Sequence, residues 1–370
     1  MARGNTFGIC GGGTGGHIFP ALAVIQALRR EDPDVSLCYF GRAGGREEEL
    51  ATRQQIPFCG LVLSGLERRL TLKNVKSLWQ ASQGWGQARR ELRRLNVRVV
   101  LGTGGYVCGP VMMAAVSLGL PTIIHESNLI PGLANRWAGA WVTKVCVNYP
   151  QTAEYFPAER VTVTGFPLRE GLNVPTRNEG CLAYGLDPNR PVLFVFPGSA
   201  GARRINQAMA ELLPGLKQRK PELQLLWMTG EADLELAQGA MARSGMDGAA
   251  HPFITAVPEA YAAADLVLAR AGAGTVAELS ATGTPALLVP YPHATANHQL
   301  QNAEVMQKLG AAEVLLDQEV SPRRLLARLL KLTKRLSFMK ECAAVLAADY
   351  PKHASQVLAR LMIKLALKAR

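Results

Sequence analysis

Residues 270–278, Arg-Ala-Gly-Ala-Gly-Thr-Val-Ala-Glu, place a glycine-rich turn and a carboxylate at the start of a predicted helix. The turn follows the strand-like run Leu266–Ala269, and the helix is expected to end at Gly283. Backbone N–H groups at the amino end of a helix can bind an anion such as a phosphate. The carboxylate of Glu278, about one turn into the helix, can accept two hydrogen bonds from a ribose diol. This pairing is typical of a nucleotide or nucleotide-sugar site, and an ordinary strand–turn–helix joint is the alternative.

A second glycine-rich loop, residues 11–16, follows the apolar strand predicted over 6–10 and precedes a helix predicted over 21–30. Its glycines at 11, 13 and 16 match the G-x-G-x-x-G spacing of dinucleotide-binding proteins in the strand-to-helix setting that this motif needs. Such a site also needs an acid at the end of the second strand, where this chain has Gly41 and Arg42. Because Arg42 could bind a 2′-phosphate, a reductase that uses NADP is weakened but stays an alternative.

Most of the predicted strands end in a polar or glycine-rich loop. The further loops are residues 102–106, 125–128, 165–169, 197–203 and 290–299, and a short strand is predicted over 251–254. In open α/β sheets, ligands bind at the carboxyl ends of parallel strands. Two strand–helix alternations, separated by an irregular polar stretch at 169–190, therefore predict an α/β protein with two Rossmann-like domains whose parallel sheets face a deep cleft.

The composition sets limits on the class of protein. With 370 residues, 48% of them apolar, the chain can form two hydrophobic cores. Its seven cysteines are scattered without a Cys-x-x-Cys pair, which argues against a disulfide framework or a zinc site and fits a reducing compartment. The first residues lack the apolar core of a signal peptide. Residues 101–124 carry no charge, but glycines and prolines divide them into strand, loop, short helix and strand rather than a membrane span.

The net charge of +12 favours a polyanionic partner. The sequence has no zinc finger, RNA-binding aromatic motif or basic leucine zipper, so nucleic acid is not expected as a partner. Basic residues concentrate at 68–94, where tryptophans and aliphatic residues share one face of a predicted helix, as in helices that lie on a membrane surface. A core helix with a solvated basic back is the alternative. The proposed membrane-facing residues are Val75, Leu78, Trp79, Trp85, Arg89, Arg90, Arg93 and Arg94.

Seven segments, taken in order, resemble the motifs of the MurG family, which are peripheral membrane glycosyltransferases of peptidoglycan synthesis. The similar segments are residues 11–21, 101–110, 125–128, 164–169, 198–203, 273–278 and 290–299. One glycine loop alone would be a weak signal, but the ordered set is specific and spans essentially the whole chain. The sequence departs from the family pattern at Pro197, where Gly is expected, and at Ser127 and Ala200, where Gln is common. These departures put local donor contacts in doubt.

The resemblance implies the GT-B glycosyltransferase architecture. An N-terminal acceptor and membrane-associated domain is expected over 1–167, a donor domain that binds the UDP-sugar over 168–349, and a C-terminal helix at about 350–370 that packs back on the first domain. The implied reaction is inverting transfer of N-acetylglucosamine from UDP-N-acetylglucosamine to the 4-hydroxyl of undecaprenyl-diphospho-N-acetylmuramoyl-pentapeptide, which converts lipid I to lipid II. The implied location is the cytoplasmic face of the bacterial cell membrane, at an anionic bilayer surface.

Inversion in one displacement needs a general base for the hydroxyl proton and stabilisation of the departing UDP. Neither a metal nor a cofactor is expected, because helix amino ends and a cation can neutralise the diphosphate. Asp32-Pro33-Asp34 has the D-x-D form of metal-dependent glycosyltransferases. It lies between a predicted helix and strand, where a proline-centred turn is the better interpretation.

The resemblance also assigns roles on the acceptor side. His17 is the candidate base, since an imidazole suits proton transfer near neutral pH, and a helix-capping or structural histidine is the alternative. Contacts to the donor or acceptor diphosphate are expected from Thr14, Gly15 and Gly16. Hydrogen bonds across the cleft are expected from Asn128 and Arg169. The remaining acceptor-side residues are Gly104, Gly105, Tyr106 and Glu126.

In the donor domain, Ser199 is expected at the diphosphate, the backbone of Ile254 at the uracil, and Glu278 at the ribose. The sugar is assigned to His298 and Gln299. The glycine-rich turn around the donor contributes Ala273, Gly274, Thr275, Val276 and Ala277.

Two further alternatives stay open. A two-domain glycosyltransferase with a soluble acceptor would not need a basic helix bearing Trp79 and Trp85. A non-catalytic nucleotide-sugar binder would show no turnover.

Overall fold

The computed structural model describes residues 6–63, 72–198, 201–294 and 297–368, and over 72–78 it describes only the backbone. The chain divides into two compact units, one formed by residues 1–170 with 351–370 and the other by residues 171–350. Each unit has its own parallel sheet with helices packed on it, so the predicted α/β class with two parallel-sheet domains is confirmed.

The first unit contains a seven-stranded sheet in the order β3-β2-β1-β4-β5-β6-β7, and every neighbouring pair is parallel. The strands are β1 (Thr6–Cys10), β2 (Ser36–Arg42), β3 (Phe58–Leu61), β4 (Val97–Gly102), β5 (Thr122–Glu126), β6 (Lys144–Val147) and β7 (Val161–Val163). The strand order reverses between β1 and β4. The loops that follow these two strands therefore flank the point where such sheets bind ligands.

Helices cover both faces of this sheet, because alternate side chains of a strand point to opposite faces. The helices are α1 (Gly15–Glu31), α2 (Arg46–Arg53), α3 (Leu72–Arg94), α4 (Cys108–Ser117), α5 (Leu133–Ala138) and the C-terminal helix (Ala354–Lys368). Leu37 and Tyr39 of β2 pack in one core with α1 and the C-terminal helix. Cys38 and Phe40 pack in the other core with α3, α4 and the end of α5.

The second unit contains a six-stranded parallel sheet in the order β10-β9-β8-β11-β12-β13. Its strands are β8 (Val192–Phe196), β9 (Gln224–Met228), β10 (Gly248–His251), β11 (Leu266–Ala269), β12 (Ala286–Leu288) and β13 (Ala312–Val314). Its helices are α6 (Arg177–Ala183), α7 (Arg203–Arg219), α8 (Leu234–Ser244), α9 (Val257–Ala263), α10 (Ala273–Thr282), α11 (His298–Lys308), α12 (Pro322–Lys334) and α13 (Leu336–Asp349). In the described parts of the chain, short 3-10 helices also lie at Pro150–Tyr155, Ala158–Arg160, Glu231–Asp233 and Asp317–Glu319.

Three local expectations can be compared with these elements. Residues 101–124 form a strand end, a glycine loop, α4 and the start of β5, and in the described parts of the chain no helix is long and apolar enough to cross a membrane. Asp32 to Asp34 form a turn in which the Asp34 N–H donates to the Asp32 carboxylate at 3.3 Å. The prediction of a strand over 251–254 is wrong in its position by several residues, since the structure places β10 at Gly248–His251.

Candidate functional site

His17, in the first turn of α1, contacts the loop that follows β4. Its Nδ1 lies 3.1 Å from the carbonyl oxygen of Thr103, and the Thr103 hydroxyl donates to the carbonyl of His17 at 2.7 Å. A carbonyl oxygen only accepts hydrogen bonds, so this geometry places the imidazole proton on Nδ1. The second ring nitrogen, Nε2, then carries the lone pair that a general base needs.

Burial lowers the pKa of His17 from its ordinary value, and the hydrogen bond to the Thr103 carbonyl opposes this effect. The imidazole is therefore held in its neutral form near neutral pH. A neutral imidazole is the form that can accept a proton from a substrate hydroxyl.

Gly104 and Gly105 allow the two glycine loops of the first unit to approach each other. They have φ angles of +107° and +84°, which a residue with a side chain rarely adopts. A methyl group at Gly104 would lie 2.6 Å from Nδ1 of His17, and one at Gly105 would lie 2.2 Å from the carbonyl oxygen of Gly12. The structure thus brings the predicted residues His17, Gly104 and Gly105 together.

Thr14, Gly15 and Gly16 form the amino end of α1. Thr14 is the N-cap residue, and its carbonyl accepts hydrogen bonds from the backbone of His17 and Ile18 at 3.1 and 3.2 Å. The first N–H groups of a helix have no acceptor within the helix, so this end of a 17-residue helix is suited to an anion. Tyr106 lies beside the same loop, since a methyl group at Gly13 would be 2.9 Å from its ring.

Two buried side chains support the first glycine loop, and the sequence did not single them out. The hydroxyl of Tyr39 donates to the carbonyl of Gly11 at 2.6 Å. The carboxylate of Glu47 is buried, accepts a hydrogen bond from the Arg42 N–H at 3.1 Å, and would lie 2.6 Å from a methyl group at Gly12.

Glu126 organises the loop after β5. Its buried carboxylate accepts hydrogen bonds from the backbone and side chain of Asn128 at 2.9 and 3.0 Å, the Gly132 N–H at 3.1 Å and the Asn135 side chain at 2.9 Å. Burial raises the pKa of Glu126, and these hydrogen bonds oppose the increase. Asn135 was missed by sequence reasoning, although a polar amide within the short helix α5 is a signal that could have identified it.

His125 joins the loop after β5 to the loop after β7. Its Nε2 lies 2.9 Å from the carbonyl of Gly165, and the Ser127 hydroxyl lies 3.3 Å from its Nδ1. Burial lowers the pKa of His125 to about 4, so the ring is neutral and donates through Nε2. Arg169, which follows the second of these loops, belongs to the first unit and places its guanidinium 5.1 Å from the centre of the Phe19 ring.

In the second unit, Glu278 lies in α10, whose first turn is formed by the predicted residues 273–277. Glu278 is 5% exposed, and its carboxylate accepts a hydrogen bond from the Tyr261 hydroxyl at 3.0 Å. Gly272 is the N-cap of α10, and the helix ends at Gly283, as the sequence predicted. The amino end of this helix, which is suited to an anion, and the carboxylate therefore share one short segment of chain.

The segment between β10 and α9 contains Ile254, the residue assigned to the uracil through its backbone. The Ile254 side chain is buried, and two residues later the carbonyl of Ala256 accepts a hydrogen bond from the Tyr184 hydroxyl at 2.6 Å. The segment is thus anchored to the end of α6.

The loop between β8 and α7 contains Ser199, which lies outside the described residues. On its far side, Gly201 has a φ of +74°, and a methyl group there would lie 2.6 Å from the carbonyl of Thr229. Asn206, buried in α7, donates to the same carbonyl at 2.8 Å and accepts from the Trp227 indole at 3.1 Å. Asn206 is a further supporting residue that sequence reasoning missed.

The residues assigned to the sugar begin α11, directly after the loop that follows β12. His298 is the first residue of α11, and the side-chain carbonyl of Gln299 accepts a hydrogen bond from the Tyr291 N–H at 2.9 Å. Arg270 supports the loop before α11 by donating hydrogen bonds to the carbonyls of Val289 and Pro290 at 3.2 and 3.3 Å. Residues 295 and 296 of the loop lie outside the described part of the chain.

Helix α3 has an inner face, where Ala88 and Leu92 are buried, and an outer face that carries Trp79, which is 62% exposed. Trp85 is half-buried and packs against the same core as Ala88 and Leu92, with the guanidinium of Arg89 5.7 Å from the centre of its ring. The prediction that the two tryptophans share one exposed face is therefore wrong, because Trp85 turns toward the core. The structure describes only the backbone of Val75 and Leu78. The other three arginines of this face, Arg90, Arg93 and Arg94, are exposed.

Three exposed apolar side chains in and beyond α5 were not singled out from the sequence. Leu133, Trp137 and Trp141 are 78%, 52% and 64% exposed. Helix α5 packs against α4, and α4 packs against α3, so these residues belong to the layer of helices that carries Trp79. Clustered large apolar side chains on a surface commonly mark a contact with a partner or a membrane.

No group of three or more His, Cys, Asp and Glu side chains in the described parts of the chain is arranged to hold a metal ion. The seven cysteines are all free thiols.

Comparison with known proteins agrees with this division into two units. The model of the glycosyltransferase family 28 N-terminal domain matches residues 7–147, and that of the family 28 C-terminal domain matches residues 192–357. The UDP-N-acetylglucosamine–N-acetylmuramyl-(pentapeptide) pyrophosphoryl-undecaprenol N-acetylglucosamine transferase of Bacillus pumilus (strain SAFR-032) is 40% identical over 320 residues, which are 86% of this chain and 87% of that protein. The transferase of the same name from Listeria welshimeri serovar 6b is 40% identical over 322 residues, 86% of this chain and 88% of that protein.

Among solved structures, the crystal structure of Acinetobacter baumannii MurG matches with a TM-score of 0.75 and 29% identity. The match covers 97% of this chain and 99% of that chain.

Proposed function

Because this chain belongs to glycosyltransferase family 28, we propose that it transfers N-acetylglucosamine from UDP-N-acetylglucosamine to undecaprenyl-diphospho-N-acetylmuramoyl-pentapeptide. The product is lipid II, formed from lipid I with inversion at the transferred sugar. The structural observation that carries this proposal is the contact between His17 and Thr103, which leaves a basic nitrogen on a neutral imidazole at the carboxyl ends of β1 and β4.

In the proposed reaction, Nε2 of His17 takes the proton of the acceptor's 4-hydroxyl while that oxygen attacks C1 of N-acetylglucosamine. The bond from C1 to the diphosphate oxygen breaks in the same step, and UDP leaves with the electron pair. A single displacement of this kind inverts the configuration at C1. The amino end of α1, at Thr14, Gly15 and Gly16, is suited to a diphosphate group by its backbone N–H donors.

The second unit supplies the proposed donor site. The amino end of α10 stabilises charge that develops on the departing diphosphate, and Glu278 accepts hydrogen bonds from the ribose. Ser199 adds a hydroxyl at the diphosphate, the backbone of Ile254 binds the uracil, and His298 and Gln299 bind the sugar.

The acceptor's isoprenoid tail stays in the bilayer, so we propose that the first unit docks on the cytoplasmic face of the bacterial cell membrane. The outer face of α3 supports this proposal, because its exposed tryptophan and arginines suit an anionic lipid surface. The exposed Leu133, Trp137 and Trp141 in the same layer of helices extend the apolar part of that surface.

A transfer assay tests the proposed reaction directly. Radiolabelled UDP-N-acetylglucosamine is incubated with the full chain and a lipid-linked muramoyl-pentapeptide, and label in the lipid fraction is measured. We expect label to move to the lipid, and much less of it with the His17→Ala variant. Label transfer only to a soluble acceptor would favour the alternative glycosyltransferase, and binding of the donor without transfer would favour a non-catalytic binder. A change in NADPH fluorescence on addition of the protein would instead favour the reductase.

A further inference from the structure

Tyr261 connects two parts of the donor site that lie on different elements. It belongs to α9, which begins shortly after Ile254, and its hydroxyl donates to Oε2 of Glu278 in α10 at 3.0 Å. Tyr261 is 3% exposed and Glu278 is 5% exposed. A hydrogen bond from a hydroxyl to a carboxylate is stronger than one between neutral groups, and water competes little for it at a buried position.

The Tyr261 ring is held by the central strand of the sheet. It meets Phe194 edge-on, with ring centres 5.8 Å apart and planes at 82°, and meets Phe196 at 6.2 Å and 73°. Both phenylalanines belong to β8. Aromatic pairs favour this edge-to-face arrangement, so the position of the hydroxyl is set by the sheet rather than by a mobile loop.

We propose that Tyr261 is a positioning residue for the ribose of the donor. Its hydroxyl holds the Glu278 carboxylate in the orientation that accepts hydrogen bonds from a cis-diol. A carboxylate has about four lone-pair sites on its two oxygens, so a bond from tyrosine leaves acceptor capacity for both ribose hydroxyls. This inference rests on the proposed function, because it requires Glu278 to be the ribose acceptor.

The same geometry gives the base and ribose subsites a common support. The segment that carries Ile254 leads into α9, and α9 carries the tyrosine that holds Glu278. A second tyrosine hydroxyl, that of Tyr184, holds the Ala256 carbonyl of this segment at 2.6 Å without contacting the carboxylate. Tyr184→Phe is therefore a matched control, since it removes the same chemical group near the base subsite only.

Calorimetric titration of the full chain with two nucleotides tests this role without requiring catalysis. The probes are UDP and 2′,3′-dideoxy-UDP, which lacks both ribose hydroxyls. The variants are Tyr261→Phe, Tyr184→Phe, Glu278→Ala and the double variant of Tyr261 and Glu278. Thermal unfolding followed by circular dichroism checks that each variant is folded, and phenylalanine at 261 keeps the ring contacts.

We expect Tyr261→Phe to weaken UDP binding by about three- to tenfold, the range of one net hydrogen bond. The same variant should bind 2′,3′-dideoxy-UDP as tightly as the wild-type protein. In the absence of Glu278 the tyrosine hydroxyl has nothing to position, so the double variant should bind UDP no more weakly than Glu278→Ala alone. Tyr184→Phe should leave the ratio of the two affinities unchanged.

Two results would overturn the positioning role while leaving the donor site intact. One is UDP binding by Tyr261→Phe that equals the wild type, and the other is an equal loss of affinity for both nucleotides, which indicates a general packing role. If the proposed donor site itself is wrong, the result is different, because the wild-type protein would then bind neither nucleotide. If the wild type binds both nucleotides equally, the ribose role of Glu278 is wrong, and with it the role of Tyr261.

Discussion

His17 and Thr103 are joined by two hydrogen bonds, one from Nδ1 of the imidazole to the Thr103 carbonyl at 3.1 Å and one from the Thr103 hydroxyl to the His17 backbone carbonyl at 2.7 Å. This pair fixes the tautomer and the orientation of the ring. It also joins the two glycine loops at the switch point of the first sheet, so it is the relationship on which the proposed chemistry depends.

His17→Ala should lower kcat by about 10²–10⁴-fold, the usual contribution of a general base, while donor binding survives. Steady-state kinetics with the lipid-linked acceptor, together with UDP titration, measure both quantities. For the wild type, kcat/KM should stay level near neutral pH and fall on the acid side with an apparent pKa below the ordinary 6.5, because burial lowers the pKa of His17. Loss of donor affinity with kcat preserved at saturation would make His17 a binding residue instead.

Gly104→Ala should lower the turnover number because it displaces the His17 ring. The second unit, which is proposed to bind the donor, should be unaffected. The added methyl group would lie 2.6 Å from Nδ1, at a φ of +107°, so either the ring or the loop must move. We expect a fall in kcat approaching that of His17→Ala and an unchanged affinity for UDP. Gly109→Ala in α4 is the matched control, since a methyl group there meets nothing within 4 Å. Equal activities of the two alanine variants would show that the ring position is unimportant.

His125 should make the stability of the protein depend on pH. Its pKa falls from 6.5 to about 4 in the folded state, whereas an unfolded chain binds the proton near 6.5. Stability is therefore complete above about pH 6.5 and is lost as the pH falls toward 4, by about 3 kcal/mol for this group. Urea unfolding of wild type and His125→Gln at pH 7.5 and pH 5 measures the effect. The variant should lose less stability between these pH values, and parallel losses would contradict the assignment.

Glu278→Ala should raise the donor KM and lower kcat/KM by about tenfold to a hundredfold, because charge-assisted hydrogen bonds to the ribose are lost. The acceptor KM should stay the same. Glu211→Ala removes an exposed carboxylate from α7 of the same unit and serves as the control for charge. Donor kinetics that match the wild type would remove Glu278 from the site.

Replacing Arg89, Arg90, Arg93 and Arg94 together with Gln should release the protein from anionic vesicles, since each basic residue near such a surface contributes about 1 kcal/mol. Salt screens this attraction, so Trp79→Ala with Trp85→Ala should weaken what binding remains at high salt. Vesicle sedimentation measures binding, and activity on a short water-soluble acceptor should barely change.

The control for this charge change is the replacement of four exposed basic residues of α12 in the second unit, namely Arg323, Arg324, Lys331 and Lys334. This variant has the same net charge as the α3 variant and should stay bound. If all six substitutions in α3 leave vesicle binding intact, the docking surface lies elsewhere, and Leu133, Trp137 and Trp141 become the next residues to replace.

Sequence patterns predicted the elements whose own residues show the composition or spacing of a strand or a helix. Apolar strands that end in glycine predicted two parallel α/β units, and the spacing from Gly274 to Gly283 predicted α10 with Glu278 inside it. The signal failed at β10, whose sequence Gly-Ala-Ala-His lacks the β-branched and aromatic residues of a typical strand. Strand β10 forms because it pairs in parallel with the neighbouring strand β9. The residues of β10 do not themselves show that such a partner strand is present.

The sequence by itself determined the α/β class of both units, the glycine positions that permit close loops, and the residue types available for chemistry. Only the tertiary structure decided which groups meet. Thr103 meets His17 across 86 residues, Asn135 meets Glu126 across nine, and Tyr261 meets Glu278 across 17. The physical reason is that apolar periodicity specifies which face of an element is buried. The partner of a buried polar group depends instead on strand order and crossover, which place distant residues within hydrogen-bond range.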